Sequence, residues 1–448
     1  MRVLTELSQI GELLQRGYER LVQDDAVLAA ALARDVTRQK NTLNLVASVS
    51  LADPSVLVSA GTSLSNVTVE GYPGARFHSG SIDVDGVERL AVERACLAFR
   101  AQYANVQPYS GSAANLAVLS CLLPPGGTLL SLKLDSGGHL THGARASITG
   151  RHYRAVHYGL DDQGLIDYES AHELAVRHRP GVIIAGSSSY PRTVDFARMR
   201  MIADSVGAYL LADISHIAGL VVSGCHPSPV DLAHVTTTST YKQLGGPRGG
   251  LILLGREADT PVGSSGLTLA ESVQRAVFPM TQGTPNPGAM AAKARAFDLA
   301  VQPHFRQTCL RIVANARALA DELSWRGFHL LSGGTDTHMI MIDIAGKGMT
   351  GYVAERALEQ CGVLVNRNVI PGDGRAPSVA SGIRLGSTIA SQRGMGATEM
   401  KAGAALVDQV LSAVTARGDL AFALDQDAKS AALAVVAQMC ADFPLPHY

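Results

Sequence analysis

GVIIAGSSSYPRTVDFARMRMIADSVGAYLLADISH, residues 181–216, carries one complete turn of a repeating plan. An unbroken apolar run opens it and dissolves into serines. A segment with helical spacing follows (ARMRMIADSVG), and a second apolar run, AYLLAD, ends in charge at Asp213. Apolar runs this short that lead straight into polar loops read as strands buried on both faces. The same alternation extends outward in both directions. TLLSLKL, HYRAVHYGL with DYESAHELAVRH, HVTTTSTYK and GLILLG fill most of residues 105–255. Strand and helix alternating at this spacing predict α/β architecture with a mostly parallel sheet and helices on both faces. From about residue 300, long helical stretches and short strands (HMIMIDI, SGIRLGS) predict a smaller α+β domain. The expected divisions are a helical arm over 1–55, a large domain over 56–300 and a small domain over 301–448. In the arm, Leu4, Leu7, Ile10, Leu13 and Leu14 share one helical face, and Leu28, Leu32 and Val36 continue the pattern.

Composition bounds the function. Of 448 residues, 46% are hydrophobic and 17% charged, with a net charge of −1, which argues against a nucleic-acid footprint. The six cysteines lie far apart without a CxxC pair, so neither a disulfide framework nor a zinc pattern is expected. No run approaches the roughly 18 apolar residues of a membrane span, and MRVLTELSQIGELLQRGYERL lacks a secretory core. The cytoplasm is the expected location.

Ligands of parallel α/β sheets sit beyond the carboxyl ends of the strands, and the reactive residue types cluster there. Residues 233–250, AHVTTTSTYKQLGGPRGG, put Lys242 between a hydroxyl run and a glycine-rich turn. The run Thr236 to Thr240 offers hydroxyls to a phosphate or to the lysine's surroundings. Arg248 can hold an anion in a planar fork. Asp213, at a strand mouth, can keep a pyridine nitrogen protonated, with Ser215 and His216 just after it. Ser110, Gly111 and Ser112 precede an apolar-faced helix, a place for phosphate, although ordinary capping would use the same residues. In SGGHLTHG, His139 or His142 could stack on a flat ring; no third ligand stands near them in sequence, so no metal is expected. Ser188, in the polar loop after GVIIAG, is a further candidate for binding the cofactor. Arg384, flanked by apolar strand residues, needs an anion: a substrate carboxylate or an internal Asp or Glu. Lysine, aspartate, phosphate loop, histidine and arginine together point to pyridoxal 5′-phosphate (PLP).

From about Asn41 to Gly386 the chain resembles the serine hydroxymethyltransferases. The resemblance rests on EGYPGARFHSG, ANVQPYSGSAANLAV, GGHLTHG, GLIDY, ADISHIAGLV, HPSPV, TTTSTYKQLGGPRGG and SGIRLG. It implies the fold-type I PLP architecture and a homodimer, or dimer of dimers, with active sites at the interface. By the same resemblance Lys242 would carry the cofactor, Asp213 would pair with its ring nitrogen, His139 would stack on the ring and His216 would meet its 3-oxygen side. Ser110, Gly111 and Ser112 would hold phosphate with Gly283 of the partner subunit. Ser48 and Arg384 would bind the substrate carboxylate, and Glu70 would be the acid–base residue. Leu134, Leu140 and Asn368 fall where the family contacts folate.

The departures are on the substrate side. Val49 and Ser50 replace Glu-Asn, and Thr68 replaces a tyrosine. Phe77 and His78 replace paired tyrosines, and Tyr109 and Tyr241 replace histidines. FPMTQGTP replaces FPGGQGGP. They lead to the expectation of a folate-independent L-threonine transaldolase-type activity, which moves a glycyl unit from one aldehyde to another. Glu70 or His78 would be the base, and Tyr241 would help to set specificity. The alternatives are a tetrahydrofolate-dependent serine or α-methylserine hydroxymethyltransferase and, in another class, a non-catalytic PLP-binding protein.

Overall fold

A computed structural model describes residues 2–263 and 266–447; of residues 2–8 only the backbone course is described. Seven strands form the central sheet: β1 (Tyr103–Asn105), β2 (Thr128–Leu132), β3 (Arg154–Tyr158), β4 (Val182–Gly186), β5 (Tyr209–Asp213), β6 (Val235–Ser239) and β7 (Gly250–Leu254). Their spatial order is β1-β7-β6-β5-β4-β2-β3. Only β7 runs against its neighbours; the others are parallel, as the alternation predicts. The register sets Gly186 beside Asp213, and Asp213 beside Thr237. The carboxyl ends of β4, β5 and β6 therefore open at one level. Strands β4 and β6 are buried along their whole length, as helices on both faces require.

A four-stranded antiparallel sheet forms the second centre. Its middle strands, Met339–Asp343 and Gly382–Gly386, pair with Met341 opposite Arg384. Its core includes Ile340, Ile342, Val353 and Leu406, and also Leu43 and Leu45. The last two arrive because Leu43–Asn44 pairs in parallel with Val363–Leu364. The residues just after the arm helices are thus built into the C-terminal core. Helix Pro303–Trp325 serves both centres, with Cys309 and Ile312 in one core and Leu319 and Leu323 in the other.

The arm forms two helices, Arg2–Asp24 and Ala26–Lys40. Ile10, Leu13, Leu28, Leu32 and Val36 are exposed and Leu14 is half-buried, so most of the apolar stripe is left uncovered by the described residues. The side chains of Leu4 and Leu7 lie outside the described residues. No described helix is long and apolar enough to cross a membrane.

Candidate active site

Asp213 closes β5 and is almost fully buried. The Ser215 N–H donates to its Oδ1 (3.0 Å). Asn115 Nδ2 (2.8 Å) and His142 Nε2 (3.0 Å) donate to its Oδ2. The His139 backbone N–H points at His142 Nδ1 (3.3 Å), which leaves the proton on Nε2, where it faces Asp213. Burial alone would push the Asp213 carboxyl up, but the hydrogen bond from His142, then the electrostatic pull of the His142 and His139 rings and the Ser215 N–H, outweigh it. The carboxyl is held far below the usual range and stays ionised.

His139 and His142 therefore have different tasks. His139 Nδ1 is 2.7 Å from Thr141 Oγ1 and accepts the Thr141 N–H at 3.2 Å. Asn115 ties the pair together: it donates to Thr141 Oγ1 (2.9 Å) and accepts from Thr237 Oγ1 (2.6 Å). Burial lowers His139 to about 4, against the opposing charge of Asp213. Its ring is neutral, as stacking on a heteroaromatic cofactor requires. His139, His142 and Asp213 offer donor atoms within 4.8 Å of one another. These atoms are already spent on each other and on Thr141, so the cluster acts as an electrostatic bed.

The Lys242 side chain is buried; its Nζ makes no hydrogen bond among the described residues and lies 5.9 Å from the centroid of the Tyr241 ring. Burial lowers its ammonium to about 8; the charge of Asp213 opposes this, and those of Arg384 and Arg248 add to it. A lysine this readily deprotonated is a nucleophile for an aldehyde. Next to it, the Tyr241 ring carries the Arg248 guanidinium at 4.2 Å from its centroid. The hydroxyl run does less at the site than expected. Thr237 serves Asn115, Thr238 bonds the Ser239 carbonyl, and Thr240 donates to Pro247 O (2.7 Å) to close the turn.

His216 stacks on His338, with centroids 5.9 Å apart at 19°, and its buried Nδ1 has no partner. Burial, then the charges of Lys242 and Arg384, keep it neutral. Ser110 caps helix Gly111–Leu122 by accepting the Ala113 N–H at 3.0 Å. The Gly111 and Ser112 N–H groups remain free at the helix mouth. A Cβ on Gly111 would come 3.2 Å from Ser215 Oγ and 3.3 Å from Ser239, so a side chain there would press on both strand ends. These features fit PLP. Asp213 would meet the ring nitrogen and the helix mouth would take the phosphate; His216 Nδ1 is an orphaned polar atom, and the Lys242 amine has no hydrogen-bond partner among the described residues.

Arg384 arrives from the second sheet. It donates to Asn366 Oδ1 (3.1 Å) and to the Ser188 carbonyl. No carboxylate pairs with it among the described residues, so its expected anion is not internal. Burial lowers its guanidinium to about 10, which leaves it charged. Ser188 thus stands on the Arg384 side, through its carbonyl. Ala47, the neighbour of Ser48, packs on Gly386 of the same strand as Arg384, where a Cβ would lie 2.5 Å from Ala47 Cα.

Glu70, His78 and Gly283 are placed differently. No hydrogen bond or ion pair joins Glu70 or His78 to Lys242, Asp213 or Arg384 among the described residues. Gly283 lies beside Glu70 of its own chain, where a Cβ would come 3.3 Å from Glu70 Oε1. Tyr109 bonds the Thr284 carbonyl there. Glu70 precedes a hairpin held from below by the buried Arg76, which donates to the Gly71 carbonyl (2.6 Å), Asp85 (2.8 Å) and Glu88. Gln107 Nε2 reaches both Glu88 (2.8 Å) and the Gly71 carbonyl (3.0 Å).

The family model described as "Serine hydroxymethyltransferase" matches residues 21–407. The chain belongs to this family. It is 43% identical over 424 residues to a serine hydroxymethyltransferase of Dichelobacter nodosus (strain VCS1703A), covering 94% of this chain and 97% of that protein. It is 44% identical over 422 residues to one of Sphingopyxis alaskensis (strain DSM 13593 / LMG 18877 / RB2256), covering 94% of each. The chain is therefore a PLP-dependent transferase of fold type I. Asn115, Arg76 and Gln107, which the motif reading did not assign, complete the setting of its site, and His142, read there as a stacking candidate, bonds Asp213 instead.

Two outcomes follow. The rate at which cofactor-free protein captures PLP should climb about tenfold per pH unit up to about pH 8 and then level off; stopped-flow absorbance checks this, and a rise continuing to pH 10 contradicts it. Arg76→Met, which strands Glu88 in the interior, should cost roughly 3–5 kcal/mol in urea unfolding. A loss under about 1 kcal/mol would mean that the hairpin does not depend on this network.

Proposed function

We propose that the chain transfers a hydroxymethyl group between a serine-type amino acid (serine or α-methylserine) and tetrahydrofolate. The observation that carries this is the exposure of Leu134 (37%) and Leu140 (50%). Leucines kept for packing would be buried. These two instead present apolar surface around the His139 loop, suited to a flat aromatic carrier. Asn368, also at a folate position by resemblance, donates to Ser189 Oγ at 3.3 Å on the same side. The family match and both relatives bear the same name. This reading takes the place of the expected folate-independent transaldolase. The rewritten Thr68, His78 and Tyr241 keep glycyl transfer between aldehydes as the second reading, in which Tyr241→His would move activity from threonine toward serine.

Bound PLP supplies the sink for the electron pair left when the Cα–Cβ bond breaks. Asp213 keeps a proton on the ring nitrogen. Lys242, neutral in part at working pH, delivers the amine. Arg384 and Ser48 hold the substrate carboxylate and so orient the bond to be broken. Glu70 exchanges a proton at the substrate hydroxyl. In a homodimer Glu70 would serve the neighbouring subunit's site. Phe77, 75% exposed on the hairpin after Glu70, and the exposed stripe of the arm support such an arrangement. Six unpaired cysteines suit the cytoplasm.

The test incubates purified protein separately with L-serine, α-methylserine and L-threonine, with and without tetrahydrofolate. Folate-dependent turnover of serine or α-methylserine is expected. Acetaldehyde release from threonine without folate, and no folate-dependent turnover, would overturn the proposal in favour of the second reading.

A further inference from the structure

Helix Pro287–Ala300 carries Lys293, whose side chain is 1% exposed. No motif singled it out, and it takes no part in the chemistry above. Its Nζ donates to three backbone carbonyls: Val106 (2.5 Å), Pro108 (3.1 Å) and Gly250 (2.8 Å). Three acceptors match the three N–H bonds of an ammonium. No carboxylate is paired with it among the described residues, so the carbonyl dipoles are its counterpart.

The three carbonyls are grouped around one place. Val106 and Pro108 lie on the chain just before the turn Ser110, Gly111, Ser112. Gly250 begins β7, just after the Lys242 turn and Arg248. The Gly250 N–H also donates to the Pro108 carbonyl, at 2.8 Å. A Cβ on Gly250 would come 2.2 Å from the Ser110 carbonyl, and one on Gly249 would come 2.3 Å from Lys293 Cε. The two glycines are therefore the slots through which the lysine stem and the Ser110 turn pass. Carbonyls crowded this way repel one another unless a cation gathers them.

We propose that Lys293 is a positioning residue for the anion site at the mouth of helix Gly111–Leu122, acting by gathering the carbonyls on both sides of the Ser110 turn. This rests on the reading that residues 110–112 take the cofactor phosphate. Burial lowers the ammonium to about 7, with Glu88 opposing, so the cradle is held by a charge kept in an unfavourable setting.

The experiment compares PLP with pyridoxal, which lacks the phosphate. Dissociation constants of both are measured on cofactor-free protein from the absorbance that appears on capture by Lys242. The proteins are the native chain, Lys293→Met, Gly249→Ala, the double variant and Ser110→Ala/Ser112→Ala. Lys293→Met should weaken PLP at least about tenfold and pyridoxal less than about threefold. Gly249→Ala, which drives a methyl against the lysine stem, should act in the same direction, and the double variant should be no worse than Lys293→Met. Equal weakening of both aldehydes, as general loss of structure would give, or no weakening of either, overturns the inference. If Lys293→Met is insoluble, Gly249→Ala decides by the same PLP-to-pyridoxal ratio. If Ser110→Ala/Ser112→Ala leaves that ratio unchanged, the phosphate reading fails, whatever Lys293 does.

Discussion

A carboxylate that must stay ionised while nearly sealed from water is the constraint on which this molecule turns. An isolated buried carboxyl would take up a proton. Asp213 is spared by donors from three parts of the chain: Ser215 from its own strand end, Asn115 from helix Gly111–Leu122 and His142 from the loop after β2. The same donors fix the geometry around it. Asn115 links Asp213 to Thr141, and Thr141 holds His139. The charge that would tune the cofactor ring and the side chain that would lie against it are therefore set by one connected network.

Around this bed the close approaches are made by glycine. Gly111 lets a helix begin against β5, and Gly249 and Gly250 admit the Lys293 stem and the Ser110 turn. Buried parallel strands bring the ends together, and missing side chains let them nearly touch.

The fold was largely legible in the sequence because buried strands and amphipathic helices differ in period, and that period is local. Asp213, Lys242 and Arg384 were legible too, since each is a charged residue in an apolar or glycine-rich setting. Asn115 and Lys293 were not, and His142 was legible only as a stacking candidate. Asn115 sits on a helix that reads as ordinary packing, and its partner Asp213 is 98 residues away. Lys293 reads as a solvated charge among alanines, and its acceptors lie up to 187 residues away. Such roles come from tertiary proximity, which a periodicity does not encode. The hydroxyl run shows the opposite error: a conspicuous composition proved mostly a buried strand, with the hydroxyls of Thr237, Thr238 and Thr240 turned to internal partners. The sites of Glu70 and His78 were legible only as residue types, because no hydrogen bond or ion pair among the described residues ties them to Lys242, Asp213 or Arg384.

Arg384 has a mechanical side as well. It is anchored in the core of the antiparallel sheet, yet its guanidinium holds the Ser188 carbonyl of the parallel one. It thus works as one rivet between two bodies that also share helix Pro303–Trp325 and the Arg192–Asp336 ion pair. An amino-acid carboxylate seated on Arg384 would tighten that rivet. Its binding free energy would then stiffen the joint between the cores more than either core itself, and substrate occupancy would be felt as rigidity across the whole subunit.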